Sequence, residues 1–103
     1  MERMEKLKEF LRSDPRDPFL KHALALEYIK AGNDAGARQI FEAILQRDPG
    51  YIGSYYHLGK LLERTGETEA AISWYEKGMA AATAAGDNHA LGELRAAHED
   101  LVL

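Results

Sequence analysis

A pattern of small, large and turn-forming residues from Pro18 to Tyr51 recurs 34 residues later, from Ile52 to Ala85. Leu24 pairs with Leu58, Ala25 with Gly59, Tyr28 with Leu62, Gly32 with Gly66, Ala37 with Ala71, Phe41 with Tyr75 and Glu42 with Glu76. Leu11 and Asp14-Pro15 stand the same distance before Leu45 and Asp48-Pro49, so the first residues read as the second half of an earlier unit. A period of this length denotes a stacked array, in which each unit is one supersecondary piece whose apolar face only its neighbours can bury.

Within each period the apolar spacing is helical. Met4, Leu7, Phe10 and Leu11 fall at steps of three and four, which predicts a helix over residues 3–12 that Pro15 stops. Asp17 followed by Pro18 marks the start of a second helix, carrying Leu20, Leu24, Tyr28 and Ala31 on one face. Gly32 supplies the left-handed residue that ends it, and Asp34 is expected to cap a third helix running to Arg47. After the break at Asp48-Pro49-Gly50 a fourth helix is expected over residues 52–65, ending at Gly66, with Thr68 as the cap of a fifth. Gly53 and Gly59 lie inside the fourth, and a glycine kept there suggests close packing. Thr83 stands where a closing proline would, so the fifth helix continues to Gly86. Asp87 or Asn88 then opens a sixth, with Leu91, Leu94, Ala97, His98 and Leu101 on one side.

Composition bounds the rest. The 103 residues suit one small domain, and 46% hydrophobic with 29% charged residues is ordinary for a globular chain. No apolar run approaches the ~20 residues of a membrane-spanning helix, and Met1 to Lys6 is charged, unlike a secretory signal. A cytoplasmic location is the expectation. With no cysteine there is no disulfide, thiolate zinc site or cysteine nucleophile. A net charge of −4, with bases interspersed among acids, argues against nucleic acid as a partner. No nucleophile motif, phosphate-binding glycine loop or convergent polar cluster is present, so neither an enzyme nor a cofactor is expected.

The residues resemble the tetratricopeptide repeat family. Leu24-Ala25, Tyr28, Gly32, Ala37, Phe41 and Asp48-Pro49 carry the likeness in one unit, and Tyr55, Leu58-Gly59, Gly66, Ala71, Tyr75 and Gly78 carry it in the next. The departures are Lys21 where the second unit has Tyr55, Ile44 where it has Gly78, and the missing second proline. The resemblance implies an all-α fold, a right-handed α-solenoid of antiparallel helix pairs with about six helices. Residues 1–17 would be a half repeat, 18–51 and 52–85 repeats, and 86–103 a C-terminal capping helix, together one domain.

It also implies a non-catalytic module that binds a protein or peptide segment in a concave groove lined by the first helix of each unit. By matched position the groove would present Phe19, His22, Leu26, Ile29 and Lys30, then Tyr56, His57, Lys60, Glu63 and Arg64. The bland alternative has Leu26 and Ile29 packing beneath the amino-terminal helix. Some family members clamp the carboxy-terminal tails of heat-shock chaperones with lysines and asparagines. His22, Leu26 and His57 occupy those positions here, so such tails are not the expected ligand; Lys30, Lys60 and Arg64 leave only some acidic character to expect.

Two other readings remain open. The half unit leaves Met4 and Leu7 without a covering helix, so a homodimer through this end would make the chain a self-assembling scaffold. His22 and His57, on adjacent first helices, would supply two ligands of a metal site, but no third is evident and zinc needs at least three, so no metal is expected. Trp74 reads as packing rather than a binding anchor, because Ile40 holds the matching place.

Overall fold

The computed structural model describes residues 2–103. Among them are six α-helices and no strand: α1 Glu2–Ser13, α2 Pro18–Lys30, α3 Asp34–Arg47, α4 Gly53–Arg64, α5 Thr68–Ala85 and α6 Asn88–Val102. The architecture is thus the expected all-α helical repeat. By packing, these residues divide into two compact units, one ending at Asp48 and the other running from Pro49 to Leu103. In the first, α2 packs against both α1 and α3; in the second, α5 packs against both α4 and α6. No helix among the described residues is long and apolar enough to cross a membrane.

Local chemistry sets the helix ends. The Asp17 carboxylate accepts hydrogen bonds from the backbone N–H groups of Phe19 (2.9 Å) and Leu20 (3.3 Å), with Pro18 where no donor is needed. Gly32, Gly66 and Gly86 adopt φ of 82°, 83° and 70°. After each, two amides turn back on the helix: Gly32 to Ile29 and Asn33 to Tyr28, Gly66 to Glu63 and Glu67 to Leu62, Gly86 to Thr83 and Asp87 to Ala82. This paired closure satisfies the last carbonyls and requires the left-handed residue that glycine tolerates.

The same closure moves two caps by one residue. Asn33, not Asp34, caps α3, accepting from the Gly36 N–H at 2.9 Å. Thr68 is the first residue of α5 rather than its cap; Glu67 holds the cap position and makes no side-chain bond there. The residue after the left-handed glycine both ends one helix and begins the next, so no room is left for a separate cap. Asp87, in the matching place before α6, accepts from the Ala90 N–H at 3.0 Å. Gly53 is likewise not interior but the first residue of α4.

The core of the first unit joins Met4 and Leu7 of α1 to Ala23 and Leu24 of α2, with Leu11, Leu20, Tyr28 and Ile40 packed against them. Met4 and Leu7 are each only 6% exposed, so the two residues expected to seek another surface are already covered by their own unit. Arg3 reaches across to Glu27 at 3.2 Å. In the second unit Tyr55, Leu58, Leu61, Leu62, Ala71, Tyr75, Leu94 and Ala97 are buried. A methyl group built on Gly59 would overlap the Tyr75 ring, and one on Gly78 would lie 2.7 Å from the Tyr55 Cβ. The expected close approach at Gly59 is therefore real, and Gly78 provides a second.

These contacts predict opposite signs for two like substitutions. Gly59→Ala forces the buried Tyr75 ring aside and should lower unfolding free energy by about 1–3 kcal/mol. Gly92→Ala, in open space within α6, should raise it by roughly 0.5–1 kcal/mol. Urea denaturation measures both; a stabilised Gly59→Ala would refute the close-packing account.

Candidate functional site

At about 100° per residue, Tyr56, Lys60 and Glu63 share a strip of α4 roughly 60° wide, with His57 and Arg64 along one margin. The opposite side carries the buried Tyr55, Leu58, Gly59 and Leu62. The strip is internally tied. The Lys60 Nζ lies 5.6 Å from the centroid of the Tyr56 ring and 3.6 Å from Glu63 Oε2. The Tyr75 hydroxyl donates to that same carboxylate oxygen. Burial, and then the bond to Glu63, push the Tyr75 hydroxyl well above its ordinary range, so it remains a proton donor.

Gly59 makes this link geometrically available, because the Tyr75 ring occupies the space a Cβ would fill. In the first unit the matched trio is Ala25, Phe41 and Ile29: a methyl, a ring without a hydroxyl, and an apolar side chain in place of the carboxylate. The Glu63 anchor is thus peculiar to the second unit. Sequence reasoning placed Glu63 on this face but missed Tyr75 as its partner; the available signal was the joint change of Ala-Phe-Ile to Gly-Tyr-Glu at positions 34 apart.

His57 is half-buried, its ring edge-on to Tyr56 at 5.9 Å between centroids. Desolvation lowers its pKa below the ordinary 6.5, and the Glu93 carboxylate on α6 pulls partly the other way. Arg64 is exposed.

On α2, Phe19, His22, Leu26, Ile29 and Lys30 gather on the side away from Leu20, Leu24 and Tyr28. Phe19 is 67% exposed. His22 packs edge-on against Phe41 at 5.4 Å between centroids. Leu26 and Ile29 are half-buried but stand outside the cluster that binds α1, which takes Leu20, Ala23, Leu24 and Tyr28 instead. Lys30 pairs with Glu27 at 3.3 Å. Both lysines on these faces are therefore engaged within their own helices, which offsets much of the charge an acidic ligand would meet.

The remaining singled-out groups have structural partners. Glu42 pairs with Arg38 at 3.1 Å, and Glu76 lies 3.0 Å from the Nε2 of His98. Trp74 packs on Tyr55 at 6.1 Å, with Lys77 over its ring at 4.5 Å. Among the described residues no group of three or more His, Asp or Glu side chains is arranged to hold a metal ion.

A tetratricopeptide repeat family profile matches residues 28–97. A repeat-containing protein of that kind from Pseudomonas aeruginosa is 28% identical over 91 residues, covering 88% of this chain and 87% of its own. A tetratricopeptide repeat domain protein from Salinibacter ruber, solved by crystallography, is 42% identical with a TM-score of 0.78, covering 82% of this chain and 96% of that one. A solution structure of a Bordetella parapertussis protein is 28% identical with a TM-score of 0.81, covering 95% and 85%.

The burial of His57 has a definite pH consequence. Its folded pKa lies below the unfolded value of about 6.5, so the unfolded chain binds the proton more readily, and this group's contribution to stability is complete above that pH and lost below it. NMR titration of the His57 ring should give a midpoint under 6.5. Glu93→Gln should lower it further; an unmoved or raised midpoint would contradict the placement of Glu93.

Proposed function

We infer what this chain does from one premise: it belongs to the tetratricopeptide repeat family. Such domains are commonly protein–protein interaction modules and are generally non-catalytic. We propose that this one binds an extended protein or peptide segment through the outward face of α4, with Tyr56 as the aromatic anchor and Lys60 and Glu63 as polar guides. The α2 face, with Phe19, Leu26, Ile29, His22 and Lys30, offers a more apolar surface of the same use.

The observation that carries the reading is the tied strip of α4. Lys60 is held between the Tyr56 ring and a carboxylate that a core tyrosine fixes in place. Long charged side chains ordinarily lose rotamer freedom when a partner docks, and groups already held lose less. An aromatic ring beside a positioned donor and acceptor suits an extended segment whose backbone needs both. The Lys60–Glu63 pair neutralises itself, so the favoured ligand is a mixed apolar and polar segment rather than a strongly acidic tail.

Self-association is a second reading, and it now rests on Phe10 rather than on Met4 or Leu7. Phe10 is 58% exposed on α1, beside a hollow lined with Glu2, Arg3, Lys6 and Leu7. Leu7→Glu would bury a charge and unfold the unit, so it cannot report on assembly. Phe10→Glu can.

Tyr56→Ala combined with Lys60→Ala should cut capture of partners from cell lysate by about tenfold or more, with the helical circular dichroism unchanged. Undiminished capture would overturn the α4 assignment. Sedimentation across micromolar concentrations should give a monomer; a dimer that Phe10→Glu dissociates would favour self-association instead.

A further inference from the structure

The two units fill one matched space differently. In the second unit Tyr55 lies over Gly78, its ring against Trp74 and its hydroxyl donating to the Pro49 carbonyl at 2.5 Å. In the first unit Lys21 stands in the place of Tyr55, Ile44 in that of Gly78 and Ile40 in that of Trp74. Ile44 is 1% exposed and fills the innermost part of the space. Further out, no ring replaces Tyr55 or Trp74, and a hollow of about 330 Å³ remains.

The hollow is lined by Leu11 of α1, Lys21 and Leu24 of α2, Gln39, Ile40 and Ala43 of α3, and Pro15, so its lining is mostly apolar. A cavity of ~150 Å³ lined by apolar side chains already accepts a benzene ring, so the volume suffices for an aromatic side chain. Pro15 is the counterpart of Pro49, whose carbonyl receives the Tyr55 hydroxyl in the second unit. The half-buried Lys21 pairs with no carboxylate among the described residues, unlike Arg3, Lys30, Arg38 and Lys60. No carboxylate of the described residues neutralises its ammonium, so an acidic group on a ligand can pair with it.

We propose that this hollow is a second docking site, taking a tyrosine side chain of a partner segment that carries an aspartate or glutamate next to it. The ring replaces the missing aromatic against Leu24, Ile40 and Ala43, and the neighbouring carboxylate pairs with Lys21. The site is independent of the α4 reading. On α2 itself, Lys21 and Leu24 lie on roughly the opposite side of the helix from Leu26 and Ile29.

The test is an amide NMR titration of the whole chain with the capped peptide Gly-Gly-Tyr-Asp-Gly-Gly at millimolar concentration. Saturable shifts at Leu24, Gln39, Ile40 and Ala43 are expected. Peptides with Ala for Tyr, or Lys for Asp, should bind about tenfold more weakly or not at all. Lys21→Tyr rebuilds the arrangement of the second unit, so it should abolish the shifts while raising Tm. Lys21→Met keeps the hollow open and should keep Tyr-dependent shifts while losing preference for Asp over Lys.

Absent shifts, equal shifts with all three peptides, or shifts that persist in Lys21→Tyr would overturn the proposal. Shifts at the same amides that grow with protein concentration and no peptide would also overturn it, because a second copy would then be the occupant.

Discussion

The fold depends on pairing an absent side chain with a large one where two helices meet. Tyr75 lies where a Cβ on Gly59 would be, and Tyr55 lies against Gly78. Each ring brings an apolar area whose full burial stabilises by about 1.5–3 kcal/mol, but only if the facing helix offers a groove deep enough to receive it. A helix without one Cβ offers that groove. The loss of helix propensity at glycine, about 1 kcal/mol, is the smaller term, so packing wins.

The first unit meets the same requirement with other residues, and its difference shapes both surfaces. Ala25 and Phe41 are fully buried where the second unit has Gly59 and Tyr75. Phe41 has no hydroxyl to send outward, and Ile29 stands where Glu63 would receive it. The second unit therefore couples its core to a polar face through Tyr75, whereas the first keeps an apolar one. At the other crossing, Ile44 for Gly78 fills the inner space and Lys21 for Tyr55 leaves the outer space open. Repeat arrays tolerate such exchanges because each unit answers mainly to its neighbours.

Electrostatics here arranges side chains more than it stabilises the chain. Exposed pairs such as Lys6 with Glu2 contribute little, typically about 0–1 kcal/mol. Glu27 accepts from both Arg3 and Lys30, and Glu63 from both Tyr75 and Lys60. In each case a partly buried carboxylate fixes the position of a longer cation. That offsets positive charge on the outward faces of α2 and α4. Lys21 differs in that it borders a mostly apolar hollow and pairs with no carboxylate among the described residues.

The sequence by itself determined the six helices, the glycine that ends α2, α4 and α5, and the faces of α2 and α4 that stay out of the core. Those properties follow from local chemistry: spacing near 3.6 residues, positive φ at glycine, and a 34-residue period that can be compared with itself. Caps were misplaced by one residue at Asp34 and Thr68, since the turn geometry shares a residue between successive helices, which composition does not reveal. The tertiary structure alone decided that α1 covers Met4 and Leu7, that Tyr75 reaches Glu63, and that Lys21 borders a hollow. Each is a relation between residues whose distance depends on how closely two helices approach, and that approach is set by side-chain volume summed over the whole contact.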